Sequence, residues 1–283
     1  MIDLFTAAMN KDMVWEMSNF HFHDPYEILF VTGGTCTFLI ETEMVQAVRG
    51  TILLIRGGLL HMSTSLPDSE YLRYVITFYP AKLDGLSTAN TDLMVSFHKE
   101  RHVIQLPEGE IDAMEKLFKA CFDRSETYGA DVRRNLSFLN LLIRLGELQQ
   151  DEYSHELKPE IINSKNYLRV KPIVSYIMEN PADDLSLEYV SEKFFYNKHY
   201  LCRIFKTATG ISVGKYITAV RIQYASTYLR QGYSVQESGE RAGFKNNSNF
   251  ISTFRKIMGI PPGQYRQKFR NQGATWNIAP AED

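Results

Sequence analysis

The sequence predicts a multi-domain α+β protein: an N-terminal antiparallel β-barrel or sandwich with helices, then an all-α domain built on a repeated turn-and-helix unit. Three observations predict it. Short aromatic and β-branched runs separated by glycines fill the first hundred residues, helical periodicity replaces them after Pro107, and from 195 to 260 the chain repeats itself at an offset of about 49 positions. A chain of 283 residues has room for two hydrophobic cores.

In chain order, the runs 27–31, 35–41, 51–56 and 72–79 read as strands, punctuated by Gly33-Gly34, Gly50 and Gly57-Gly58. Residues 108–128 and 130–150 read as helices, broken at Tyr128-Gly129; the second carries Leu136, Leu139, Leu142, Ile143 and Leu145. These readings divide the chain into a barrel at 1–106, a helical segment at 107–150, a polar linker at 151–167 and a helical domain at 168–273.

Within the repeat, a gapless offset pairs Phe195 with Phe244, Asn197 with Asn246, Leu201 with Phe250, Phe205 with Phe254, Lys206 with Arg255 and Gly210 with Gly259. Leu201, Ile204 and Phe205 lie three and four apart, so they share one buried helix face. The first helix then presents Lys198, His199, Cys202, Arg203 and Lys206 outward. The second buries Phe250, Phe254 and Ile257 and presents Asn247, Ser248, Ile251, Ser252 and Arg255. Asn197 and Asn246 suit N-caps, and Gly210 and Gly259 sit where each helix should stop. Shorter helices at 185–194 and 235–242 precede the pair. Two basic helices at fixed spacing, each after a tight turn, have the geometry of a double-stranded DNA reader.

Charge is divided in the same way. Residues 168–273 hold 16 Lys+Arg and 7 Asp+Glu, a balance of +9, whereas 1–167 hold 15 and 24, a balance of −9, inside a total of −2. Only the basic part is suited to neutralising phosphates. Three cysteines at unrelated spacings suggest neither a disulfide framework nor a zinc knuckle, and a reducing cytoplasm is expected. No N-terminal charged-and-apolar leader and no apolar run of membrane-spanning length is read, so no membrane partner is expected.

The stretch RIQYASTYLRQGYSVQESGERAGFKNNSNFISTFRKIMGIPPGQYR, residues 221–266, resembles the signature of AraC/XylS-type transcription regulators along its whole length. Its Ala-Gly-Phe turn at 242–244, and Gly-Ile-Pro-Pro at 259–262 followed by Tyr265 and Arg266, match the most specific parts of that pattern. NKHYLCRIFKTATGIS, residues 197–212, is similar to the family's first recognition helix. One departure is Ser238-Gly239, where the family usually has an aliphatic residue and Ala. A helix-interior Gly costs roughly 1 kcal/mol relative to Ala, so a less stable second unit is expected. The resemblance implies a tandem helix-turn-helix domain binding DNA at 168–273, a homodimer joined through a dimerisation segment at 107–150, RNA polymerase as a further contact, and a sensing domain at 1–106 for a sugar or other small metabolite.

His21-Phe22-His23, Glu27 and Gly33, then Gly50, Gly58 and His61, resemble the two motifs of the cupin fold, which makes the first domain a cupin-like antiparallel β-barrel. Arg56 replaces an expected proline, Ser65 stands where Asn is usual, and no Gly precedes His21 at the usual distance. His21, His23, Glu27 and His61 are read as a pocket for a small polar effector, with no cofactor. The resemblance leaves two other roles open for the same four: a metal set suited to zinc, iron, nickel or manganese, or hydrogen bonding within the barrel wall. The protein is expected to be a non-enzymatic regulator; the rival reading is a metal-dependent cupin enzyme fused to a DNA-binding module.

Overall fold

The computed structural model describes residues 3–12, 20–65, 70–98, 103–150 and 165–270. They fall into two compact units that divide between Ser164 and Lys165. The first contains β1 (Phe5–Asp12), β2 (Tyr26–Gly33), β3 (Cys36–Ile40), β4 (Glu43–Ala47), β5 (Thr51–Ile55), β6 (His61–Ser65), β7 (Tyr71–Phe78), α1 (Val95–His98), β8 (Val103–Gln105), α2 (Glu108–Ala120) and α3 (Ala130–Gln150). The strands form a five-stranded sheet ordered β1-β7-β2-β5-β8 and a three-stranded sheet ordered β4-β3-β6. Every pairing is antiparallel.

Period-two alternation decides what each face meets. Along β2, Ile28 and Phe30 point to one side and pack with Ile111, Met114 and Phe118 of α2 and Phe138, Leu141, Leu142 and Leu145 of α3. Leu29 and Val31 point to the other, into an interior shared with Phe38, Ile40 and Val45 of the smaller sheet. The apolar faces of α2 and α3 are therefore core of the first unit. Leu142 and Leu145 are buried, whereas Val132, Leu136 and Ile143 stay exposed. Helix α2 stops at Ala120, short of 128, because Asp123 turns back to accept a hydrogen bond from the Ser125 amide at 2.9 Å.

The second unit is all helical: α4 (Lys165–Glu179), α5 (Leu187–Lys193), α6 (Lys198–Thr209), α7 (Val213–Arg230), α8 (Val235–Arg241), α9 (Asn247–Met258) and α10 (Pro262–Arg270). Helix α4 begins three residues inside the segment read as linker, because Tyr167 starts the buried stripe that continues through Val170, Ile173, Val174 and Ile177. The rest of that linker, 151–164, and the domain end at 271–273 lie outside the described residues. Helix α7 buries residues along its length, among them Tyr216, Val220, Ile222, Ala225 and Leu229, and packs against α4, α6, α8, α9 and α10. It is the spine that joins the two repeats.

Candidate nucleic-acid interface and sensing site

Each repeat positions its second helix by caps at both ends. The Asn197 side chain accepts from the His199 amide and Asn246 from the Asn249 amide, while Gly210 and Gly259 close α6 and α9 in the left-handed conformation, at φ 80° and 75°. Leu201, Ile204 and Phe205 are buried beneath α6, and Phe250 and Phe254 beneath α9. Ile257 was expected with them but is 39% exposed. It lies in the last turn of α9, beyond the point where the buried Tyr265 ring closes on Phe254 at 5.4 Å.

All ten outward residues of the sequence reading are exposed: Lys198, His199, Cys202, Arg203 and Lys206 on α6, and Asn247, Ser248, Ile251, Ser252 and Arg255 on α9. On α9, Ser248, Ile251, Ser252 and Arg255, with Lys256 and Gly259, line an open groove of about 610 Å³. Lys256 was missed; the adjacent Arg255 was the available signal. The Arg203 guanidinium stacks over Tyr200, 5.4 Å from the ring centroid, which orients a group able to make bidentate bonds to guanine. Lys198 is tied at 2.5 Å to Glu188 of α5, and this hydrogen bond holds the Glu188 carboxyl below its usual range. A phosphate would have to displace that carboxylate.

The backbone corrects the gapless register. Phe194 closes α5 and Ala242 closes α8; the amides of Tyr196 and Phe244 return to the carbonyls of Ser191 and Gly239. The first helices are thus offset by 48 residues and the second helices by 49, the turn after α8 being one residue longer. Phe244 corresponds to Tyr196, and Phe195 to Gly243. Both take positive φ, 57° at Phe195 and 91° at Gly243. Gly243 is also where the backbone closes on a neighbour: a Cβ there would stand 2.4 Å from the Pro181 carbonyl oxygen. The same oxygen accepts from Arg221 Nε of α7 at 2.9 Å.

In the first unit, strand register gathers the histidines. His61 opens β6 opposite Ile40, and since opposed residues share a face, its side chain points into the interior that Ile40 helps fill. His21 forms an isolated bridge to His61, with N–H···O bonds of 3.0 and 2.9 Å in the two directions. Two residues on, His23 is anchored by its carbonyl accepting from the Gly58 amide at 2.8 Å. Glu27 lies on β2 opposite the inward-facing Ile55. The His21 ring centroid is 4.1 Å from that of His61 and 5.8 Å from that of His23.

The hydrogen bonds fix much of the proton arrangement. His23 Nδ1 lies 2.7 Å from the Pro25 carbonyl and His61 Nδ1 2.9 Å from the Leu59 carbonyl. A carbonyl only accepts, so each Nδ1 donates and each Nε2 is left to face the cluster. His23 Nε2 meets Glu27 Oε2 at 2.7 Å. Among the described residues, the buried His61 Nε2 has no hydrogen-bond partner. Burial, with the charge of His21, lowers the His61 pKa to about 3, so this nitrogen carries a bare lone pair. Burial and the charge of His23 also lower His21. Burial opposes the charged forms of His23 and Glu27 too, but their mutual hydrogen bond prevails, raising His23 and lowering Glu27. The His23–Glu27 pair therefore favours its charged form, while the surroundings of His21 and His61 favour the neutral imidazole.

Three further polar residues are buried in the same interior, none of them among the residues that the sequence motifs single out. Ser63, Tyr71 and Arg73 are each at most 4% exposed, and the Arg73 guanidinium lies 4.6 Å from the Tyr71 ring centroid. Burial pushes the nearby Cys36 thiol up to about 12. The alternation along 71–78 places Tyr71 and Arg73 on the inward face, which is the sequence signal for this pair.

An antiparallel sheet domain followed by two capped turn-and-helix units with exposed polar faces defines a DNA-binding regulator. Family models agree: the AraC-like ligand binding domain matches residues 6–145 and a helix-turn-helix domain matches residues 190–268. The chain is 33% identical to the multiple antibiotic resistance protein MarA of Escherichia coli (strain K12) over 100 residues, 35% of this chain and 79% of MarA. It is 23% identical to the HTH-type transcriptional regulator YdeC of Bacillus subtilis (strain 168) over 257 residues, 87% of this chain and 85% of YdeC. The HTH-type regulator YtdP of the same organism is 35% identical over 100 residues; that match spans 35% of this chain and only 13% of YtdP. The protein belongs to the AraC family of DNA-binding transcription regulators and carries the family's ligand-binding domain. Among the described residues, no helix is long and apolar enough to cross a membrane.

Proposed function

We propose that α6 and α9 read neighbouring major-groove segments of one operator, that the first unit holds a small polar effector at His21, His23, Glu27 and His61, and that α3 pairs two copies of the chain. Effector binding then changes how the two DNA-reading domains of a dimer are held, a coupling free energy between distinct sites. RNA polymerase is the partner through which the bound dimer sets transcription. The carrying observation is the pair of capped, outward-polar helices joined by the 18-residue α7. For dimerisation, the support is the line of exposed apolar residues Val132, Leu136 and Ile143, spaced four and seven apart on one face of α3.

Selection of bound fragments from genomic DNA by the full-length chain, with and without pooled cell metabolites, tests this reading. A shared motif whose enrichment depends on the metabolite pool is the expected result. Enrichment of no motif would reject sequence-specific reading, and enrichment insensitive to every pool would reject effector control.

A further inference from the structure

We propose that Ile251 reads the 5-methyl group of a thymine, so that α9 selects an A·T pair where α6 selects guanine. This deepens the tandem reading proposed above and rests on it. The 49-residue offset between α6 and α9 sets Ile251 against Cys202 and Ser252 against Arg203, so equivalent positions of the two helices carry different chemistry. Arg203 is a donor only, which matches the O6 and N7 acceptors of guanine. Helix α9 offers a branched apolar chain and a hydroxyl there instead.

That hydroxyl is already committed in one direction. Ser252 Oγ donates to the Asn249 carbonyl of its own helix at 3.0 Å, and a hydroxyl has a single proton to give. What it presents to a ligand is therefore an acceptor. In the major groove the base donors are adenine N6 and cytosine N4, and thymine alone carries a methyl group. An acceptor beside an apolar surface thus fits A·T and not C·G: adenine supplies the donor and its thymine partner the methyl.

The groove supplies room for such an edge. Ile251 is 36% exposed and walls the open groove of about 610 Å³ together with Ser248 and Ser252. Both serines are short, whereas α6 has His199 and Arg203 at the equivalent positions, so α9 can bring its backbone closer to the bases. Closer approach is what a methyl contact requires. Arg255 and Lys256 line the same groove and are suited to the phosphates that flank a base pair.

The test binds full-length protein to a selected genomic fragment in which each thymine of the site is replaced, one at a time, by deoxyuridine. This deletes a methyl group and leaves every hydrogen-bonding atom in place. At least one position should lose about fourfold in affinity, the effect of removing one buried carbon from an apolar contact. Ile251→Ala should lose at least as much on the thymine fragment, keep its denaturation midpoint and be indifferent to uridine at that position. Ile251→Val, still apolar and branched, should remain sensitive. A wild-type chain insensitive to uridine everywhere overturns the proposal, as does an Ile251→Ala chain as sensitive as wild type. Arg255→Ala separates this from a failure of tandem reading. If Arg255→Ala weakens binding while uridine has no effect, the assignment of Ile251 alone is overturned; if Arg255→Ala, Ile251→Ala and uridine all leave affinity unchanged, α9 does not touch DNA and the proposal falls with the tandem reading.

Discussion

Phe195 and Gly243 occupy the same turn position in the two repeats, and only one of them suits it. A left-handed backbone costs a residue with a Cβ roughly 1–2 kcal/mol, and the Phe195 side chain, 96% exposed, recovers little by burial. Phe195→Gly is therefore expected to stabilise the second unit by about 1 kcal/mol in chemical denaturation, less the entropy that glycine adds to the unfolded chain. A loss of stability would show that this aromatic ring makes a contact that matters. Gly239 behaves in the opposite way. Propensity alone predicts that Gly239→Ala gains up to about 1 kcal/mol, but the new Cβ would stand 2.7 Å from Cδ1 of the fully buried Phe250 ring. Overpacking of that kind costs about 1–3 kcal/mol, so a lower denaturation midpoint is predicted. The Gly239 part of that departure is thus explained by Phe250, a larger residue than Leu201 at the equivalent place in α6. On the DNA side, Arg203→Ala should cost about 1–3 kcal/mol on the selected sequence and relax preference at one or two positions; Lys206→Ala should weaken all sequences alike and reduce the salt slope by about 1. Equal losses on selected and random DNA for Arg203→Ala would remove it from the base readers.

Helix α3 offers a test at the scale of elements. Leu136 is 53% exposed and lies outside the core, so Leu136→Lys should leave each chain folded while shifting sedimentation from dimer to monomer. An unchanged sedimentation profile would assign the interface elsewhere. The element record shows what kind of signal a sequence holds. Helices α3, α6 and α9 were legible because each carries a periodic stripe, and α6 and α9 also have recognisable caps. The four strands read from sequence are aromatic or β-branched runs. Those missed have weak local preference: β1 is FTAAMNKD, β4 EMVQA, β6 HMSTS, and β8 has three residues. They are strands because their partners supply the ladder, a tertiary effect that overrides propensity. The one-residue difference between the turns was illegible for a related reason, since a gapless offset aligns α6 with α9 well and conceals a slip where the residues are less alike. The histidine cluster was legible as a list of four residues. Its proton arrangement was not, because that depends on the carbonyls of Pro25 and Leu59.

For the whole molecule, the division of charge between the two halves makes a quantitative demand. DNA binding should fall with salt at a slope of about −0.9 per phosphate neutralised, and the basic segment 168–273, at +9, should account for that slope without help from the acidic first 167 residues. The central claim is that one chain reads DNA with two helices. Helix α7 has 18 residues and is about 27 Å long, somewhat short of the roughly 34 Å between successive major-groove faces, so docking both helices on one side of the duplex calls for modest DNA bending. The most direct test is hydroxyl-radical footprinting of the full-length protein on a selected genomic fragment, wild type beside Arg203→Ala and Arg255→Ala. The expected result is protection of about two helical turns per chain on one face, with each variant weakening a different turn; protection confined to a half-turn, or both variants weakening the same one, would contradict tandem reading.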